Sequence, residues 1–302
     1  MKKDLLRLSD LERADFDLIF QKAKHLKQMQ KDGIEHTPLK GKTLGMVFDK
    51  SSTRTRISFE VGIFQLGGVA LFLSSRDMQL GRGEEIADTA KIMSRYLNGI
   101  MIRTYSQALV EEFALNATIP VINGLTDLFH PCQILSDLFT IMEYKGMFEG
   151  LKVSYIGDGN NVANSWINAA SKLPFHLTLA CPEHYEPDAE VLKTGKRQAI
   201  KGIDVYRDPG DAVKDADCVY TDVWVSMGQE SEKEARSRIF IPYQVNSDLL
   251  RQAKNDAIVM HCLPAHRGEE ISAEAMNGPQ SVVWDQAENR LHVQKAIMEI
   301  LM

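Results

Sequence analysis

Apolar and polar positions along this chain follow two rhythms, one of helical period and one of short continuous apolar runs, and the two take turns. Phe16, Ile19, Phe20, Ala23 and Leu26 recur at helical spacing before Gly33, behind the capping-box pattern Ser9-Asp10-Leu11-Glu12, and predict a first amphipathic helix. Strand-sized apolar runs come next at residues 44–48, 69–73, 99–102 and 120–123, separated by helical stretches near 53–66, 84–97 and 107–115. A second series repeats the scheme, with strands expected at 152–156, 177–180, 204–206, 218–221, 257–261 and 282–285. Residues 131–146 read as one long helix joining the two series, with Pro131 at an allowed first-turn position, and 286–301 as a last amphipathic helix.

Strands that alternate with helices specify parallel sheets, because parallel neighbours need a crossover and the crossover helices cover the sheet faces. The expected fold is α/β, with two domains, each a mainly parallel sheet with helices on both faces, and an active site in the cleft between them. No low-complexity linker marks a boundary, so the pattern alone sets it: 1–133 joined by the terminal helix 286–302, and 134–285. In open parallel sheets ligands bind beyond the carboxyl ends of strands, near helix starts. The chemically distinctive residues fall there. Ser52 follows the first strand, Arg103 the third, Asn160 and Asn161 the strand ending at Ile156, Asp222 the strand 218–221, and Cys262 the strand 257–261.

Composition narrows the function classes. With 302 residues, 44% apolar and 25% charged, the chain is long enough for two ordinary cores. Its longest apolar runs are strand-sized, against the roughly 20 residues a bilayer needs, and arginines and acids interrupt residues 5–18, so no membrane span or signal peptide is expected and the location reads as cytoplasmic. Cys132, Cys181, Cys218 and Cys262 form no C-x-x-C pair and no metal-ligand spacing, which predicts reduced thiols and no metal. The net charge of −6, from 35 basic and 41 acidic residues, comes without a basic stripe and excludes nucleic acid as a partner. The glycine-rich Gly157-Asp158-Gly159-Asn160-Asn161 lacks the third glycine of a dinucleotide loop, position 162 being Val162, and no P-loop lysine pattern occurs. No cofactor is expected; the partners are small molecules.

The run Phe48-Asp49-Lys50-Ser51-Ser52-Thr53-Arg54-Thr55-Arg56 ends a strand in hydroxyls and arginines where a helix begins. Free N–H groups at a helix start favour an anion, and hydroxyls with a guanidinium fork add charge-assisted hydrogen bonds. The ordinary reading is an N-cap with two solvated arginines. Company weighs against it: Arg103, His130-Pro131-Cys132-Gln133, Asp222-Val223-Trp224-Val225-Ser226-Met227-Gly228 and His261-Cys262-Leu263-Pro264. His130 alone reads as a half-buried core histidine, but Gln133 three residues on shares its helix face, so both side chains can address one ligand.

The S-T-R-T run, H-P-C-Q, D-x-W-x-S-M-G and H-C-L-P occur in an order and spacing that resembles the ornithine carbamoyltransferases of the aspartate/ornithine carbamoyltransferase family, over about residues 44–290. The resemblance implies transfer of the carbamoyl group of carbamoyl phosphate to the side-chain amine of L-ornithine, giving L-citrulline and phosphate, in arginine biosynthesis or in the catabolic direction. It makes the first domain the carbamoyl phosphate-binding domain and the second the ornithine-binding domain. It assigns Ser52, Thr53, Arg54, Thr55, Gln79, Arg103, His130, Gln133, Cys262, Leu263 and Arg290 to carbamoyl phosphate, with Arg54, Arg103, His130 and Cys262 catalytic. Asn161 and the Met227 backbone would take the ornithine carboxylate, Asp222 and Ser226 its α-ammonium, and Cys262 with the Leu263 carbonyl would orient its side-chain amine. Gln79 lies in a polar loop whose ordinary role is to be solvated; in the family the corresponding loop reaches a neighbouring subunit's phosphate site, which implies a homotrimer. Arg290 reads by itself as a surface arginine. Leu263-Pro264 is a candidate cis peptide, since X-Pro turns recur at binding loops.

Overall fold

A computed structural model of the chain describes residues 3–74, 83–225 and 233–302. They fall into two units, Met1–Ser136 with Asn289–Met302, and Asp137–Glu288. The expected edges 133 and 285 stand here at 136 and 288.

In unit 1, helix α1 (Arg13–Lys31) precedes β1 (Thr43–Phe48), α2 (Thr53–Gln65), β2 (Val69–Ser74), α3 (Ile86–Tyr96), β3 (Gly99–Arg103), α4 (Gln107–Asn116) and β4 (Val121–Leu125). The strands form one parallel sheet in the order β2-β1-β3-β4. One register fact organises the unit's chemistry: Phe48, the last residue of β1, pairs with Arg103, the last of β3. The loop after β1 therefore starts beside Arg103. Val47, Ile100, Ile102, Val110, Phe113 and Val121 are buried in the core between the sheet and its helices. The α1 cap stands three residues later than the sequence pattern suggests. Glu12 is the N-cap and Asp15 its reciprocal partner, because residues Leu8–Asp10 are taken up by a 3-10 turn that buries Leu8.

The chain crosses between units twice, within α5 (Pro131–Lys145) and within α12 (Val283–Leu301). Of residues 282–285, expected as a strand, 283–285 open α12 instead, while the Val282 N–H donates to the Val259 carbonyl at 3.0 Å. Val283, Gln286, Asn289, Arg290 and Val293 are buried while Trp284 and Asp285 are exposed, a helical period that two adjacent valines conceal in a short window. The far end of α12 docks in unit 1. Lys22 Nζ meets Glu299 Oε1 at 2.7 Å and His36 Nε2 meets Glu299 Oε2 at 3.1 Å, while Lys295 Nζ donates to Gln65 Oε1 at 2.9 Å. Burial opposes ionisation of Glu299, but the bonds from Lys22 and His36 outweigh it and hold the carboxyl below its usual range.

Unit 2 continues with β5 (Lys152–Ile156), α6 (Asn161–Ala170), β6 (His176–Ala180), α7 (Ala189–Gln198), β7 (Ile203–Tyr206), α8 (Pro209–Val213), β8 (Cys218–Thr221), α9 (Lys233–Phe240), α10 (Ser247–Leu250), β9 (Ile258–His261) and α11 (Ala273–Asn277). Its five strands are parallel in the order β7-β6-β5-β8-β9. Thr221 at the end of β8 pairs with Ile156 at the end of β5 on one side and His261 at the end of β9 on the other. The loops after those three strands consequently emerge side by side, bringing residues 157–161, 222–225 and 262–266 together from three distant parts of the chain. Beneath them Tyr155 and Tyr220 stack with ring centroids 5.9 Å apart, and Trp166 sits edge-on to Tyr220.

Candidate active site

Unit 1 holds the anion-facing residues. Ser52 caps α2: its Oγ accepts the Thr55 backbone N–H at 3.3 Å and donates to Thr55 Oγ1 at 3.1 Å. The ordinary reading of this serine is thus correct as far as it goes, and the cap leaves the other first-turn N–H groups and the positive end of the helix dipole facing outward. Arg290, buried on α12, donates from Nη2 to Thr55 Oγ1 at 2.9 Å. That contact removes it from the class of surface arginines. Arg54 is half-buried, and among the described residues its buried Nε has no hydrogen-bond partner. A buried guanidinium nitrogen left in this state is costly unless an acceptor meets it, and a phosphate oxygen is such an acceptor. Thr53 is exposed at the first position of α2. Arg103 is buried and donates from Nε to the Lys50 carbonyl at 3.2 Å, which fixes the loop after β1. Thr104 donates to Asp49 and Lys50 pairs with Asp127 in the same region.

His130 and Gln133 are buried at the start of α5, where the Gln133 and Ile134 N–H groups both point to the His130 carbonyl. Burial, then the positive charges of Arg290 and Arg103, push the His130 imidazole well below its ordinary pKa. It is neutral near pH 7 and can donate one N–H without adding charge. Cys132, between them, is a core thiol: its S–H points to the Asn123 carbonyl and burial raises its pKa to about 12. Arg103, His130 and Arg290 therefore belong to one electrostatic neighbourhood with Thr55.

Unit 2 holds a second set. Asp222 is buried and accepts three hydrogen bonds of 2.7 Å: Asn160 Nδ2 to Oδ2, and the Val223 N–H and Cys262 S–H to Oδ1. Asn160 in turn caps α6, accepting from the Val162 and Ala163 N–H groups, and its Oδ1 also receives the Tyr155 hydroxyl at 3.2 Å. Asn161 is the first residue of α6, half-buried. Gly159 is required by close approach, because a Cβ there would stand 2.2 Å from the Glu186 and Pro187 backbone. The segment after Asp222 is held by Arg236, which donates from Nε to the Trp224 carbonyl at 2.6 Å and pairs with buried Asp158 at 2.6 Å.

At the end of β9 the His261 N–H donates to Gln286 Oε1 at 2.9 Å, and Gln286 and Tyr220 both donate to buried Asp137 at 2.8 Å. Leu263-Pro264 is cis, and Leu263 has φ +59°. Cys262 is half-buried, the other three cysteines buried, and all four are free thiols. Asp222, His261 and Cys262 bring three metal-competent atoms within 4.8 Å. The imidazole, however, has both nitrogens committed, Nδ1 to the Leu263 N–H at 2.8 Å and Nε2 to Glu270 at 2.9 Å, so the trio lacks a free imidazole lone pair.

Of the residues singled out from sequence, Ser52, Thr53, Arg54, Thr55, Arg103, His130, Gln133 and Arg290 lie in unit 1, and Asn161, Asp222, Cys262 and Leu263 in unit 2. Gln79, Ser226 and Met227 lie outside the described residues. The contacts of Asn160, Arg236 and Glu270 are not anticipated by any motif. Asn160 carries a signal, as the helix-capping asparagine next to Asn161, whereas Arg236 and Glu270 carry none.

Two parallel α/β units, one with an anion-ready helix start ringed by buried arginines and a neutral histidine, the other with a carboxylate–amide–thiol set, define an α/β group-transfer enzyme acting on small polar substrates. The carbamoyl-P binding domain of the aspartate/ornithine carbamoyltransferases matches residues 3–143, and their Asp/Orn binding domain residues 149–301. The chain belongs to the aspartate/ornithine carbamoyltransferase family. It is 70% identical to an ornithine carbamoyltransferase of Syntrophus aciditrophicus, over the whole of both chains. The solved ornithine carbamoyltransferase of Pyrococcus furiosus is 54% identical, with a TM-score of 0.96 over 99% of this chain and 96% of that one. The anabolic enzyme of Campylobacter jejuni is 41% identical, with a TM-score of 0.92 over 100% and 99%.

Proposed function

We propose that this chain is an ornithine carbamoyltransferase, which moves the carbamoyl group of carbamoyl phosphate onto the side-chain amine of L-ornithine and releases L-citrulline and phosphate. The observation that carries the chemistry is the α2 start, where Ser52, Arg54, Thr55 and the Arg290 contact on Thr55 present donors to a phosphate. The neutral amine attacks the carbamoyl carbon and an N–C bond forms, so negative charge gathers on the carbonyl oxygen. The bond from that carbon to the phosphate oxygen then breaks, its electron pair leaving with phosphate, and the nitrogen sheds its proton to phosphate or solvent. Arg103, His130, Thr55 and Gln133 are the groups we assign to the carbonyl, and Ser52, Thr53, Arg54 and Thr55 to the phosphate. A donor aimed at such a developing oxyanion is worth ~2.7–4 kcal/mol of transition-state stabilisation.

For the acceptor, an alkyl amine titrates near ~10.4, so the site must select the free base. Asp222 and Ser226 take the α-ammonium, Asn161 and the Met227 backbone the carboxylate, and Cys262 with the Leu263 carbonyl and Arg290 complete the surroundings of the reacting groups. Direct attack by the amine needs no covalent enzyme intermediate, so the Cys262 thiol has a positioning role.

The assembly we assign is a homotrimer, with Gln79 delivered to the neighbouring subunit. Its support is an apolar face on unit 1. Val69, Leu71 and Phe72 on the edge strand β2 and Ile57 and Phe64 on α2 are exposed in the single chain, Phe64 by 76%, and so large an apolar edge calls for a partner. Four free thiols, three of them buried, support a cytoplasmic location. Arginine biosynthesis is the direction we assign, in line with the anabolic Campylobacter jejuni relative. The test of the activity is citrulline formation with ornithine, putrescine, aspartate and N-acetylornithine offered in parallel; turnover confined to ornithine is expected, and its absence with ornithine would refute the assignment.

A further inference from the structure

The geometry points to Glu270 as the positioning residue of the acceptor turn, acting through the buried imidazole of His261 on the Cys262-Leu263 backbone. The inference rests on the reading that Cys262 and the Leu263 carbonyl orient the ornithine side-chain amine.

Three contacts carry it. The Leu263 N–H donates to His261 Nδ1 at 2.8 Å, which fixes Nδ1 as an acceptor and puts the ring proton on Nε2. That Nε2–H donates to Glu270 Oε1 at 2.9 Å, with both side chains wholly buried. The same Oε1 accepts the His266 N–H, at 2.6 Å. One carboxylate therefore grips both ends of the turn, the first through an imidazole and the second directly. The acid is itself anchored: the Val245 N–H donates to the Glu270 carbonyl at 2.9 Å, and Ile271 bridges Val245. Although burial opposes ionisation, its bonds from His261 and His266 keep the carboxyl below the usual range, so it stays an acceptor on both.

The turn needs such a grip. Leu263 sits at φ +59°, a left-handed conformation that a residue with a branched side chain adopts only when its surroundings impose it. A core pair that merely filled space would not need a defined tautomer. Here the tautomer links Glu270 to the one backbone N–H inside the strained residue, next to Cys262, whose thiol is on Asp222 at 2.7 Å. Removing the carboxylate would leave the His261 Nε2–H and the His266 N–H, both bonded to Oε1, as buried donors without their acceptor, and the turn would shift, whereas a glutamine keeps both on its amide oxygen.

The test uses the assembled enzyme and the variants E270A, H261Q and C262S, with each substrate varied against saturating partner, and the rate of iodoacetamide labelling at Cys262 read by peptide mass. Misplacement of a substrate-positioning group by an ångström costs up to about 100-fold, so E270A is expected to lower kcat/KM for ornithine by at least about tenfold. Its KM for carbamoyl phosphate should change by less than its kcat/KM for ornithine, because the assigned phosphate donors Ser52 to Thr55 lie in unit 1, and Cys262 should label at least about threefold faster. H261Q, which keeps one donor and one acceptor, should fall between E270A and the parent, and it carries the same test should E270A not fold. A folded E270A with ornithine kinetics and labelling rate like the parent's, while C262S is impaired, overturns the positioning inference alone. Parent-like ornithine kinetics in C262S overturn the acceptor reading beneath it.

Discussion

Replacing Asp222 by asparagine changes one oxygen to an amide, and the surrounding geometry fixes the consequence. A carboxylate offers about four acceptor positions, and donors from Asn160, Val223 and Cys262 occupy three of them at 2.7 Å each. The remaining one is assigned to the ornithine α-ammonium. An amide keeps one oxygen for Val223 and Cys262 and turns its NH2 toward Asn160 Nδ2, donor against donor. Asn160 cannot flip to relieve this, because its Oδ1 is the cap on the Val162 and Ala163 N–H groups, and losing a cap costs ~1 kcal/mol. A hydrogen bond to a charged group contributes about 1.5–3 kcal/mol, which at 1.36 kcal/mol per decade predicts a ~10- to ~160-fold fall in kcat/KM for ornithine. Steady-state citrulline formation with each substrate varied in turn measures it. Carbamoyl phosphate parameters should be unchanged, since its assigned phosphate donors lie in the other unit. Equal losses for both substrates, or none for ornithine, would refute the reasoning.

Thr55→Val removes the hydroxyl that Arg290 and Ser52 both contact, leaving a buried guanidinium donor unmet; a loss of ~1–3 kcal/mol in stability and a weaker carbamoyl phosphate KM are expected, read by denaturant titration and initial rates. The depressed His130 pKa has a sign that can be worked out. Below about pH 6.5 the unfolded chain binds a proton that the folded imidazole refuses, so this group's contribution is complete above that pH and is lost as pH falls toward the folded value, at up to ~1.4 kcal/mol per pH unit. His130→Gln should flatten that slope in urea melts taken over the acid side; an unchanged slope would show the imidazole to be protonated in the native state. Glu299→Gln should weaken the docking of α12, with a loss of about 1–3 kcal/mol at neutral pH that shrinks in acid, because a depressed carboxyl pKa stabilises only above it. A variant as stable as the parent at pH 7 would show that Lys22 and His36 gain as much from water.

How much was legible in the sequence differs by residue and for physical reasons. Ser52, Arg103, Asp222 and Cys262 each stand next to a strand end, and a parallel sheet puts strand ends in register, so the pairings Phe48 with Arg103 and Thr221 with Ile156 and His261 bring together what is scattered along the chain. The βα alternation was enough to anticipate that. Residues 282–285 misled because a run of four with two valines fits a strand and the first turn of a helix equally well, and only the longer window through Val293 separates them. Glu270 and Arg236 could not be found, since each acts across the fold on a loop that carries the motif while belonging to no motif itself. Arg290 was visible only by resemblance; its burial and its bond to Thr55, 235 positions away in sequence, are products of packing.

The most direct measurement tracks the carbonyl carbon of isotopically labelled carbamoyl phosphate by NMR with ornithine present. The label is expected to move into the ureido carbon of citrulline as phosphate is released in equal amount, and Arg54→Ala to slow that transfer. Label recovered as carbon dioxide and ammonia with ornithine unchanged, or transfer unaffected by loss of Arg54, would contradict the assignment.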